Sequence, residues 1–107
     1  MEDSGGPLTV KALKDGKCDT ADIYSADPSI ATNGLVTLSD PKSLVLPQNV
    51  VPIVSAKVTE QAAAVIDKVS AALTTDELVS LNALSVGKQQ SSKTIATAWL
   101  TAKGLLS

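Results

Sequence analysis

The sequence contains no histidine and no phenylalanine, and only one cysteine, one tryptophan and one tyrosine. Without histidine it lacks the usual neutral-pH acid and base and the commonest metal ligand. The lone Cys18 forms no internal disulfide and belongs to no paired redox motif, so Cys/His metal clusters are excluded. With phenylalanine absent, any core must come from Val, Leu, Ile and Ala, within a hydrophobic fraction of 44%. Charge of one sign is also scarce. Nine basic and eleven acidic residues give a net charge of −2 with no long single-sign run, which leaves no electrostatic footprint for nucleic acid. No stretch approaches the roughly 18 apolar residues of a membrane span. The opening MEDSGG is acidic and Gly-rich, the reverse of a secretory n-region, so the chain as given is expected to carry neither export signal nor span.

What is present fits one modest domain of 107 residues, or a fragment of a larger one. Val10, Ala12 and Leu13 suggest a short helix that Gly16 ends. Three short apolar runs read as strands: residues 20–26 around Ile23 and Tyr24, residues 35–38, and residues 50–54, where Pro52 argues for an edge or a bulge. Between the first two, SIATN predicts one or two helical turns ending at Asn33-Gly34. From residue 59 the period changes to that of a helix. Ala62, Val65, Ile66, Val69, Ala72 and Leu73 form one stripe with Thr59 as cap. Thr74 and Glu77 read as a capping box opening a second helix with Leu78, Leu81 and Leu84 inward. Ser91 or Ser92 caps a last helix with Ile95, Ala98, Trp99 and Ala102, closed by Gly104. The expected division is therefore a mixed α/β segment over 1–58 and a three-helix segment over 59–107. Strands separated by helical turns point to an α/β layer arrangement, short strands covered by helices.

An enzyme has little to build on here. Asp15, Asp19, Asp22 and Asp27 are closely spaced, yet acids at element ends are ordinarily solvated or cap backbone amides. Ser25 has no histidine to activate it, and SGG and DGK are too short for phosphate loops. No catalytic residue, cofactor site or metal site is expected.

Binding chemistry has better candidates. Tyr24, Ser25 and Asp27 stand where the first strand gives way to a turn, and a tyrosine face beside a carboxylate suits a quaternary ammonium ion. The alternative is a core Tyr24 and an Asp27 that serves only the turn before Pro28. Gln48 and Asn49 form a second polar pair, available either to a ligand or to nearby backbone groups. Trp99, at helical spacing from Ile95 and Ala102, reads as packing more readily than as part of an aromatic cage.

The segments LTVKALKDGKCDTADIYSADPSI, LVTLSDPKSLVLPQNVVPIVSAKV and SSKTIATAWLTAKGLL resemble the carboxy-terminal portion of the substrate-binding proteins of osmoprotectant ABC transporters. These take up glycine betaine, choline, carnitine or proline betaine. The resemblance implies part of a type II periplasmic-binding-protein-like, two-lobed fold with a helical carboxy-terminal half. It implies a small compatible solute and a membrane permease as partners, and an extracytoplasmic or periplasmic location, anchored through the parent protein. It places Tyr24 and the Ser25-Ala26-Asp27 turn at or beside the interlobe cleft, with solute capture by lobe closure. Two positions depart from the family pattern: Ala26 stands where many relatives carry threonine, and Gln48 where many carry an aromatic. The second reading of the chain is a self-associating structural or interaction module, because unpaired strands leave edges and apolar surface that another copy could cover.

Overall fold

The computed structural model describes residues 3–106. Five helices run in the order α1 (Pro7–Lys14), α2 (Ser29–Thr32), α3 (Glu60–Ala72), α4 (Thr75–Lys88) and α5 (Ser92–Ala102). They divide between two compact units, Met1–Leu38 with α1 and α2, and Ser39–Ser107 with the other three.

In the first unit, α1 begins with Pro at its first turn, where the missing N–H costs nothing. Its N-cap is Gly6, which has no side chain to offer, and Asp3 takes over that task. The Asp3 carboxylate accepts from the backbone N–H groups of Gly6, Leu8 and Thr9 at 3.1, 2.7 and 3.3 Å. It also accepts from the Thr9 hydroxyl at 2.6 Å. The Thr9 hydroxyl first, then these backbone donors, hold the Asp3 carboxyl below its ordinary value. Gly5 is buried with a φ of +82°, and a Cβ there would lie 2.7 Å from the Asp22 carbonyl oxygen, so only glycine fits. Val10 is buried, with Leu13, Ile23, Ile30 and Leu35 half-buried.

The expected α/β architecture is not found. Among the described residues there is no strand and no sheet, so the short strands covered by helices, and the two-lobed, type II periplasmic-binding-protein-like arrangement they implied, give way to an all-helical chain with irregular links. A strand exists only through hydrogen bonds to a neighbouring strand, and each of the three candidates spends its backbone elsewhere or leaves it unpaired. Residues 20–26 end in a turn in which the Asp27 N–H donates to the Tyr24 carbonyl at 2.9 Å. Residues 35–38 lose their first donor when the Leu35 N–H closes α2 on the Ile30 carbonyl. No backbone hydrogen bond joins residues 50–54 to any other described residue, and Pro52 has no N–H to give.

In the second unit, each helix is opened by the side chain of a Thr or Ser. Thr59, Thr74 and Ser91 accept from the backbone N–H groups of Ala62, Glu77 and Thr94 at 3.3, 3.3 and 3.2 Å. The inward edge of α3 is Ala63, Ile66, Val69 and Ala72, continued by its C-cap Leu73, all half-buried, whereas Ala62 and Val65 of the expected stripe are exposed. Half-buried Leu78, Leu81 and Leu84 lie on α4, which packs against α5. Residues 89–91 join the two, with Gln89 in the left-handed conformation at a φ of 52°. Ile95 on α5 is the buried aliphatic of this pair, 7% exposed. Beyond α5 the Leu105 N–H returns to the Leu100 carbonyl at 2.9 Å around Gly104, whose φ of +67° permits the reversal.

Candidate functional site

The turn at Tyr24 is built by its own aspartate. Asp27 closes the turn through its N–H, and its Oδ1 accepts from the Ser29 N–H at 2.8 Å, satisfying a free donor at the start of α2. The Asp27 carbonyl also accepts from the Ile30 N–H at 3.4 Å. The turn role weighed for Asp27 is thus real, but it occupies one carboxylate oxygen, and Oδ2 has no hydrogen bond among the described residues. Tyr24 is 62% exposed and is no core residue, while Ser25 is exposed and Asp27 half-buried. Beside them the Ser29 hydroxyl is buried with no hydrogen-bond partner among the described residues. One aromatic face and one free carboxylate oxygen therefore belong to a single four-residue turn.

Gln48 and Asn49 belong to the other unit, so the five candidate residues fall into a group of three and a pair. Both amides are exposed, within residues 46–55, which contain no turn or bend. Neither side chain caps a backbone group among the described residues, leaving donors and acceptors open to water or to a ligand.

The acidic residues that an enzyme would need are dispersed into local pairs. Asp15 accepts from the Lys11 ammonium at 2.8 Å and faces Lys17 at 3.7 Å, while Asp19 and Asp22 are exposed. Among the described residues no group of three or more His, Cys, Asp or Glu side chains is arranged to hold a metal ion.

Two carboxylates have roles that spacing did not suggest. Asp40 Oδ2 accepts from the Val45 N–H at 2.9 Å, and this donor first, then those of Leu44, Lys42 and Ser43, keeps its carboxyl below the ordinary value. Glu77 does not reach back to complete a capping box. Its Oε1 pairs with the Lys103 ammonium, its Oε2 accepts from the Trp99 indole at 2.6 Å, and the Thr74 N–H turns to the Ala72 carbonyl at 3.2 Å. A bond to the Lys103 ammonium, charged on both sides, together with one to the Trp99 indole outweighs a single bond to a backbone N–H, which explains the choice. Lys103 also stands 5.9 Å from the centre of the Trp99 ring. Trp99 therefore ties α5 to α4 through Glu77.

No helix among the described residues is long and apolar enough to cross a membrane. No curated protein and no solved structure matches the chain. A family model does: the substrate binding domain of ABC-type glycine betaine transport systems, over residues 2–102. That span takes in the Tyr24 turn, the Gln48-Asn49 pair and all five helices. The chain belongs to this family, the osmoprotectant-binding components of ABC transporters, which are binding proteins and not enzymes.

Proposed function

We propose that the chain contributes to extracytoplasmic capture of a small quaternary-ammonium or zwitterionic compatible solute, such as glycine betaine or choline, for delivery to a membrane permease. The observation that carries this reading is the exposed Tyr24 ring in a turn whose Asp27 keeps one carboxylate oxygen unbonded, inside the span matched by a glycine betaine-binding family. An aromatic face attracts a methylated ammonium through its ring quadrupole, and a nearby carboxylate adds to that attraction. Tyr24 and Asp27 would receive the cationic end and Ser25 would offer a hydroxyl, while Gln48 and Asn49, in the other unit, are a separate candidate pair whose amides can donate to a carboxylate. Ala26 and Gln48, in place of threonine and an aromatic, leave one aromatic where a cation is usually enclosed by several. With a single aromatic wall, the site supplied by this chain is accordingly weak by itself.

The test is an amide NMR titration of the labelled chain with glycine betaine, choline, carnitine and proline, one at a time. Saturable shifts confined to Tyr24–Asp27 and Gln48–Asn49 support the assignment. A dispersed spectrum unmoved by all four solutes removes these residues from the site.

A further inference from the structure

Lys14, the last residue of α1, is exposed, and among the described residues it pairs with no acid, although Lys11 and Lys17 near it both face Asp15. Its ammonium instead donates to Oδ1 of Asn33 at 2.9 Å, across 19 residues of chain. The NH2 of the same amide donates to the Ser29 carbonyl at 2.9 Å, and the Asn33 backbone N–H joins it there at 3.0 Å. Ser29 in turn gives its own N–H to Asp27 Oδ1. A continuous run of hydrogen bonds therefore leads from the end of α1, through α2, to the carboxylate of the Tyr24 turn. We propose that Lys14 is a positioning residue of that turn: by clamping Asn33, it fixes the direction in which the unbonded Asp27 oxygen is presented to a cationic solute. The inference rests on the solute reading given above and deepens it.

The need for a clamp follows from α2 itself. Its four residues make a single turn, too short to persist on its own hydrogen bonds. Asp27 secures the start of that turn and Asn33 its end. An asparagine amide has two different ends, and the Asn33 NH2 also has the Thr32 hydroxyl within reach at 3.4 Å. An ammonium only donates, so Lys14 selects the amide oxygen and leaves the NH2 facing the Ser29 carbonyl. The two peptide groups that flank Ser29 are then held from both sides, one by Asp27 and the other by Asn33. A solute that meets a fixed carboxylate is spared the cost of ordering a loose one, so the clamp adds affinity without touching the solute. Because the Lys14–Asn33 bond is exposed, it adds little to folding, and binding separates from stability.

The test compares the full chain with Lys14→Met, whose long side chain cannot donate, and Lys14→Arg, whose side chain can. In amide NMR titrations with choline and with glycine betaine, Lys14→Met should weaken both by a similar factor of roughly 1.5- to 5-fold, the range of an exposed polar tie, with the melting midpoint unchanged. Lys14→Arg should restore both affinities. Without solute, the Asp27 and Ser29 amide resonances should move in Lys14→Met and return in Lys14→Arg. Tighter choline together with weaker glycine betaine in Lys14→Met would mean that the lysine charge acts on the solute directly, and would overturn the clamp. Full affinity in Lys14→Met, or no recovery in Lys14→Arg, would overturn it too, and would leave the solute reading standing. A starting chain whose Tyr24–Asp27 amides ignore both solutes overturns the solute reading, and this role with it.

Discussion

The Trp99 indole and the Glu77 carboxylate join at 2.6 Å, linking the last turn of α5 to the first turn of α4. With Lys103 on the other carboxylate oxygen, the arrangement locks an αα-hairpin at its open end, opposite residues 89–91 that close it. Both charges also suit their own helices, an acid in the first turn of α4 and a base just past the last turn of α5. One cluster therefore reinforces two helix termini and the contact between the helices.

The cluster gives the hairpin a pH dependence of defined sign. The Lys103 ammonium first, then the Trp99 indole, holds the Glu77 carboxyl below its ordinary value of 4.5. A depressed folded-state value means stability that is present above 4.5 and lost as the pH falls through the lowered value. Thermal melts followed at 222 nm should show the midpoint falling on acidification below that pH. Glu77→Gln should lower the midpoint at pH 7 and flatten its acid slope. An unchanged slope would separate Glu77 from the acid response.

Loss of a helix cap should be felt locally and modestly. Thr74→Ala and Thr59→Ala each remove the acceptor for one otherwise free N–H, at a cost of about 1 kcal/mol. Ile95→Ala, at the buried aliphatic of the α4–α5 pair, should cost about 2–5 kcal/mol and melt that hairpin first. Denaturant titrations of the three variants should rank Ile95→Ala well below the two cap variants.

Gly5→Ala should destabilise the first unit by about 1–3 kcal/mol, since the new Cβ meets the Asp22 carbonyl oxygen at 2.7 Å in a left-handed backbone. Hydrogen exchange should show lost protection in α1 and around Ile23, while α4 and α5 keep theirs. Equal loss in both units would mean that the two unfold together.

Helices were legible in the sequence because their determinants are local. Thr59, Thr74 and Ser91 stand beside the backbone groups they cap, and Gly16, Gly34 and Gly104 sit at helix ends with positive φ. Strands were not, because a run such as Val50 to Val54 records an apolar preference but not the presence of a partner. The Glu77 carboxylate was misread for a related reason: the capping-box pattern predicts a nearby donor, whereas its stronger partners lie 22 and 26 residues away. Asp3 was missed because it caps from three residues before Gly6, outside the usual position. At the candidate site, the turn could be read from Asp27-Pro28, but the exposure of Tyr24 depends on what packs around it, which spacing does not carry.

The Tyr24 turn makes a prediction in which binding and folding separate. Tyr24→Ala removes a ring that is largely exposed, so the helical signal and melting midpoint should stay near their starting values. An aromatic face contributes about 0.5–2 kcal/mol to holding a cation, so solute affinity measured by NMR titration should fall by roughly 2- to 30-fold. Asp27→Asn is the sharper variant. Its amide oxygen can still accept from the Ser29 N–H, so the turn and α2 survive while the negative charge is gone. Choline, which has no carboxylate, should lose more affinity to this change than glycine betaine, whose own negative end is relieved of repulsion from Asp27. Equal losses for the two solutes would mean that Asp27 acts only through the turn, and that the cation is held elsewhere.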